Sequence, residues 1–339
     1  MKPIRVGALI QGFEVPSSRY RILQYFPLLE AEGIACEARP FSESVKGWKE
    51  EMAWVRSKDL LWLHRKRPSP FRLPLLRRSA KRIVYDVDDA VMYRDTLSLG
   101  KQLSRSRQAR FKDTVQAADW VVAGNRYLEA EARRHTERVS VLPTALDLAG
   151  YSPRAWPGKA SGPVVMGWIG DTGSVAYLDQ QRPLFEAIGQ ACPKLVFRVL
   201  SSRFPRYDHL RVEEVPWRRE IEAETLRSFD IGVMPMPDDP WSKGKCALKL
   251  LQYMASGVPA VASPVGMNAD VIRDGENGFS PGTVGGWISA LQLLAGDPAL
   301  RARIGAAGRA TVEEGYTLSV TAPRLAGILR AVAAGKRPA

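Results

Sequence analysis

The residues best able to do chemistry gather between Asp230 and Gly278. An apolar run, Asp230-Ile-Gly-Val-Met-Pro235, reads as a buried strand that empties into a polar loop, Asp238 to Lys245. A helix is expected from about Lys245 to Ser256, with Leu248, Leu251, Met254 and Ala255 as its apolar stripe; Gly257 and Pro259 mark its end. The start of a helix exposes free backbone N–H groups and a partial positive charge. Here Gly244 permits close backbone approach, and Lys243, Lys245 and, one turn on, Lys249 add cations. Lysines at that end oppose the helix dipole, and a bound pyrophosphate would remove the conflict. The plain alternative is a solvated first turn carrying surface lysines.

Two further groups stand out. The loop Gly170-Asp171-Thr172-Gly173 follows an apolar run, Val164–Ile169, so its backbone N–H groups can approach an anion. Asp86-Val-Asp88-Asp89 follows another apolar run, Ile83–Tyr85. Carboxylates so spaced suit a hard cation, or cap the next helix. His64, His135 and His209 have no metal-ligand spacing, and Cys36, Cys192 and Cys246 are expected as reduced thiols; no metal site is expected.

The elements that must position these groups alternate. Strands are expected at Val6–Ile10, Leu60–Leu63, Ile83–Tyr85, Trp120–Ala123 and Val139–Leu142, with helical patterns between them. One such helix, Arg19–Glu32, places Ile22, Tyr25, Phe26 and Leu29 on one face. Pro153–Pro163 interrupts the pattern as a linker, and a second series follows: Val164–Ile169, Leu195–Leu200, Ile231–Met234 and Ala260–Ala262. A helix at Arg324–Ala333 closes the chain. Alternating strands and helices predict an α/β fold: two Rossmann-like domains, each with a parallel sheet, facing across a cleft.

Composition agrees with this. The chain has 339 residues, enough for two domains, with 45% hydrophobic and 25% charged residues, the balance of a globular protein. No apolar run reaches the length of a membrane span, so a cytoplasmic protein is expected. The net charge is +13. Its density peaks over Arg56–Arg82, where ten Lys and Arg face one acid, Asp59, and Trp62, Phe71 and several leucines are interleaved. Such a stretch fits an anionic membrane surface or a solvated helix face; nucleic acid is suggested by charge alone.

The segment Lys249-Leu-Leu-Gln252-Tyr-Met-Ala-Ser-Gly257-Val-Pro259-Ala-Val-Ala-Ser263-Pro-Val-Gly266 resembles the donor-site signature of the family 4 retaining glycosyltransferases. Asp270-Val-Ile-Arg-Asp-Gly-Glu-Asn277-Gly278-Phe is similar to a second motif of that family, and Tyr85-Asp-Val-Asp-Asp89 with Leu142-Pro-Thr-Ala-Leu-Asp147 to one bacterial branch. The resemblance implies the GT-B fold: an acceptor-binding domain over 1–155, a nucleotide-sugar-binding domain over 163–315, and a closing helix, 316–335, crossing back to the first. It implies a nucleotide sugar as donor, a glycan or lipid-linked acceptor of the cell envelope or an exopolysaccharide, no cofactor and no nucleic acid. The membrane face of such an enzyme would be Arg56–Arg82, on the inner side of the cell membrane. Donor contacts are then expected from Gly170, Asp171, Thr172, Gly173, Gly244, Lys245, Lys249, Gln252 and Gly266, and catalytic roles from Asp88, Asp89 and Lys249.

The sequence departs from the family at two positions. The family's paired donor-site glutamates fall on Gly244 and Gln252. An amide at Gln252 still donates and accepts hydrogen bonds, but Gly244 has no side chain to offer. Lys245 or Asp239 is the nearest substitute, and Arg203 and Arg206 stand where a phosphate-binding pair is usual. A non-catalytic binding protein, or an epimerase or phosphorylase of the same fold, is the alternative.

Overall fold

The structure is a computed structural model that describes residues 2–42, 44–98, 101–156 and 162–338. It divides into two units. The first comprises Met1–Ala145, Asp239–Cys246 and Leu318–Ala339; the second comprises Leu146–Asp238 and Ala247–Thr317.

The first unit holds strands β1 (Ile4–Ile10), β2 (Ile34–Pro40), β3 (Leu60–His64), β4 (Ile83–Val87), β5 (Trp120–Ala123) and β6 (Val139–Val141). They form one sheet in the order β2-β1-β3-β4-β5-β6, every pair parallel. β3, β4 and β5 are buried throughout, as the continuous apolar runs require of central strands covered on both faces. β2 escapes a reading based on such runs because it is an edge strand with polar residues, Glu37 and Arg39, along it.

Helix Leu318–Ala333 lies in the core of this unit. Its Leu325, Leu329 and Val332 belong to one buried cluster with Val6, Ala8, Trp62, Val84 and Val122. It begins six residues before the expected Arg324, carrying Pro323 inside it. The expected helix Arg19–Glu32 is instead broken into helix Pro16–Arg21, a 3-10 turn Leu23–Tyr25 and helix Phe26–Ala31. Pro27 is the reason: lacking an N–H, it fits the first turn of a helix and not the interior.

The second unit holds β7 (Val164–Ile169), β8 (Leu195–Ser201), β9 (Val212–Pro216), β10 (Ile231–Met234) and β11 (Ala260–Ala262), in the order β11-β10-β7-β8-β9 and again all parallel. Its core joins Met166, Trp168, Phe197, Val199, Ile231 and Val261 to helix residues such as Phe185, Ile188 and Leu291. Phe185 stacks on Phe197 with ring centroids 4.9 Å apart and on Tyr207 at 5.0 Å. Strand order reverses between β7 and β10, and ligands of such sheets bind beyond the carboxyl ends of the strands at that reversal. The expected linker lies in part, at residues 157–161, outside the described residues. Its start is fixed: Arg154 pairs with Asp230 at 2.6 Å and donates to the carbonyl of Phe229 at 2.6 Å.

Candidate functional site

In the second unit the chain leaves β7 through Gly170 and at once begins helix Thr172–Gln180. Asp171 caps that helix, accepting from the Ser174 N–H at 2.7 Å. Thr172 and Gly173 therefore sit in the first helical turn, where backbone N–H groups lack intrahelical partners. Beyond β10, Ser263 Oγ accepts from the Met236 N–H at 2.9 Å and the Ser263 carbonyl from Asn268 Nδ2 at 3.3 Å. The turn closes at Gly266, whose φ of 55° and ψ of −134° favour glycine. A cavity of about 310 Å³ opens there, lined among others by Gln181, Met236, Asp238, Ser263 and Trp287.

The helix carrying Lys249 spans Leu248–Ala255, three residues later than its expected start at Lys245. Ala247 breaks it, held in the left-handed region at φ 51°. Lys249 thus lies in the first turn, with Nζ 5.4 Å from the centre of the Trp168 ring, and Lys245 is not on this helix. Gln252 is buried; its Nε2 donates to Glu222 at 2.8 Å and to the Tyr151 hydroxyl at 3.0 Å. Trp217, 38% exposed, donates from Nε1 to the other oxygen of Glu222 at 2.8 Å. A carboxylate therefore stands beside Gln252 after all, supplied by Glu222, which nothing in the sequence spacing pointed to. Arg203 is paired with Asp179 at 2.6 Å.

Asp239–Cys246, which carries the expected donor residues Gly244 and Lys245, belongs to the first unit. Asp239 caps a single helical turn, Pro240–Lys243, by accepting from the Ser242 N–H at 2.8 Å. Asn125 then fastens the segment, donating to the carbonyls of Lys243 at 3.1 Å and Lys245 at 3.0 Å. Gly244 is pressed against Ala90, so that a Cβ there would lie 2.5 Å from the Ala90 nitrogen. No side chain fits where the family places its first glutamate.

Lys245 joins a cluster of charges at the carboxyl ends of β3 and β4, where His64 and Asp86 are register partners. Arg21 and Asp86 form a buried bidentate pair, at 3.1 Å and 3.0 Å. Asp88 Oδ1 receives His64 Nε2 at 3.3 Å and lies 3.2 Å from Arg65 Nε. Asp89 pairs with Arg65 and, at 3.3 Å, with Lys245 Nζ. Arg65 is held at φ 56°, a left-handed conformation that costs a non-glycine residue of order 1–3 kcal/mol and tends to mark functional sites. Burial alone would raise the Asp88 carboxyl, but Arg65 and His64, with Arg21 behind them, hold it well below the usual carboxylate range. Burial pushes the Cys246 thiol up, and its Sγ donates to the Asp88 carbonyl at 3.3 Å.

The basic run Arg56–Arg82 is neutralised in part, mostly by acids from outside it. Lys58 pairs with Glu37, Arg72 with Glu51 at 2.5 Å, Lys81 with Asp59 at 2.9 Å, and Arg77 and Arg82 both with Asp119 at 3.0 Å. Among the described residues, no group of three or more His, Cys, Asp or Glu is disposed to hold a metal, and no helix is long and apolar enough to cross a membrane.

Residues 173–297 match the family described as glycosyl transferases group 1. Among solved structures, the chain is similar to sucrose-phosphate synthase of Thermosynechococcus elongatus, at 16% identity and a TM-score of 0.76, over 99% of this chain and 100% of that one. It is similar to HepE of Anabaena in complex with UDP and glucose, at 14% identity and 0.69, over 96% and 99%. It is also similar to WaaG, a glycosyltransferase involved in lipopolysaccharide biosynthesis, at 13% identity and 0.68, over 96% and 99%. No curated protein sequence matches it. The fold is therefore GT-B, built from two Rossmann-like domains with parallel sheets.

Proposed function

We propose that this chain transfers a sugar from a nucleoside-diphosphate sugar to a hydroxyl acceptor, with retention at the anomeric carbon and without a metal ion. The match of residues 173–297 to group 1 glycosyltransferases carries the reading, because that segment supplies most of the polar groups at the strand ends of the second unit. In this reading the diphosphate is held by the first-turn N–H groups of Thr172 and Gly173, by Lys249 and by the turn at Gly266. The cation and the fixed amides stabilise the charge that grows on the leaving diphosphate as the glycosidic bond breaks. Gln252, with Glu222 and Tyr151, faces the ribose hydroxyls. Solved complexes of HepE with UDP and with UDP-glucose support a uridine nucleotide as the first donor to try.

The first unit takes the acceptor, a glycan or lipid-linked intermediate of the cell envelope or an exopolysaccharide. Asp89, shared between Arg65 and Lys245, orients its hydroxyl, and Asp88 positions Arg65 and His64. The apolar residues Phe71 and Leu75, both exposed, together with Arg56 and Arg78 meet an anionic membrane. A thermal-shift screen against UDP, GDP and ADP sugars tests the donor assignment, since a ligand stabilises the state it binds. Stabilisation by one nucleotide class is expected; none by any would contradict it. The closed space at Gly244 favours a second reading, a non-catalytic protein that binds the nucleotide sugar without transferring it. Release of nucleoside diphosphate in the presence of glycan and lipid-linked acceptors separates the two.

A further inference from the structure

At position 252 the resembled family carries a glutamate and this chain a glutamine, yet a carboxylate from another element stands against it. β9 ends at Pro216, and the N–H of the next residue, Trp217, still reaches the β8 carbonyl of Ser201 at 3.0 Å. The Trp217 backbone is thereby fixed at the carboxyl ends of β8 and β9, while the residue stays 38% exposed. The chain then turns through Arg219–Ile221 and opens the short helix Glu222–Arg227 with a carboxylate, which suits a helix start.

Glu222 is half-buried, and its two oxygens serve two different neighbours. Oε2 accepts from the exposed Trp217 indole Nε1 at 2.8 Å, and Oε1 from the buried Gln252 Nε2 at 2.8 Å. A carboxylate only accepts, so Gln252 must turn its nitrogen to it; that nitrogen also donates to the Tyr151 hydroxyl at 3.0 Å. Tyr151 is pinned in turn, its carbonyl accepting from Arg309 Nη1 at 2.6 Å. Gln252 is 3% exposed and Tyr151 8%, so they hold Glu222 from behind. The groups left towards solvent are Glu222 and the Trp217 ring.

We propose that Glu222 is the carboxylate that accepts from the donor's ribose hydroxyls and that Trp217 is the platform on which its nucleobase stacks. The inference rests on the nucleotide-sugar reading above and names the residues that hold the nucleoside half. An ionised carboxylate has acceptor sites beyond the two bonds to Trp217 and Gln252, and hydroxyl bonds to it are charge-assisted. The indole N–H is engaged by Glu222, so the ring offers the base its face, a contact that any base can make. One carboxylate therefore meets the sugar and fixes the ring, leaving little to be ordered on binding. Gln252 and Tyr151 are positioning residues.

Calorimetric titration into the full chain tests this, with UDP, GDP and ADP, their dideoxy counterparts, which lack both ribose hydroxyls, and inorganic pyrophosphate. The nucleotide that the wild type binds should weaken about tenfold or more without the hydroxyls, the loss of a charge-assisted contact. E222Q should bind it about tenfold or more weakly, and removing the hydroxyls should then change little, a coupling that a merely structural role would not produce. Gln252 can turn its amide over to accept from the new N–H, so E222Q should melt near the wild type. W217L should lose about tenfold, and W217F, which keeps an aromatic face, much less. Pyrophosphate should bind all three variants as it binds the wild type. Wild-type affinity for the nucleotide in E222Q or in W217L, or an equal loss for pyrophosphate, would overturn the inference and leave the donor reading standing. A wild type that binds no nucleoside diphosphate would overturn both.

Discussion

Gly244 and Gln252 occupy the two positions where the resembled family carries glutamate, and their surroundings explain why neither can simply be restored. At Gly244 the Ala90 backbone leaves no room, so Gly244→Ala should cost about 1–3 kcal/mol through overpacking, read as a lower urea midpoint. At Gln252, Gln252→Glu would set a second carboxylate against Glu222, now 2.8 Å away. Like charges raise the proton affinity of one of the pair in the folded state. The variant should therefore be nearest to wild type at low pH and lose stability as pH rises through the carboxylate range; equal stability at all pH would contradict this contact. Asp88 has the opposite sign. Its carboxyl is held low in the fold by Arg65 and His64, so its contribution is present at any pH above the unfolded value of about 3.9. That contribution is lost only as pH falls through the folded value. Asp88→Asn should be less stable than wild type near neutrality, with the gap closing on acidification. The sequence showed the residue types here and not their partners. Lys245 and Lys249 looked like neighbours on one helix, but Ala247 turns the backbone left-handed between them. Glu222 is thirty residues from Gln252 and carries no spacing signal.

At the scale of elements, apolar runs located the central strands Trp120–Ala123, Val164–Ile169 and Ile231–Met234 as read, and also the short edge strand Ala260–Ala262. Burial on both faces makes such strands continuous in sequence. The edge strand β2 stayed hidden because solvent tolerates Glu37 and Arg39 there. Proline misled in both directions: Pro27 split a helix that periodicity joined, whereas Pro323 lies inside a helix that runs through it. That closing helix is structural. Leu325 is fully buried against the first sheet, so Leu325→Ala should cost about 2–5 kcal/mol in chemical denaturation. A loss below about 1 kcal/mol would show that the helix does not hold that core.

For the whole molecule, the ten-to-one basic excess of Arg56–Arg82 predicts more surface attraction than the structure offers, because Glu37, Glu51 and Asp119 from outside the run pair with Lys58, Arg72, Arg77 and Arg82. Flotation with anionic liposomes should therefore be weak and fade with salt; binding indifferent to salt would contradict an electrostatic contact. Sugar transfer should survive EDTA, since Asp86, Asp88 and Asp89 are each matched by Arg21, Arg65, His64 or Lys245. The most direct test of the account is calorimetric titration of a panel of UDP, GDP and ADP sugars into the wild type and Lys249→Ala. One nucleotide class should bind one-to-one, and the variant should bind it about tenfold or more weakly, the loss expected for a charged contact to the diphosphate. Binding of no nucleotide sugar, or equal affinity in the two proteins, would contradict a donor site at the first turn of helix Leu248–Ala255.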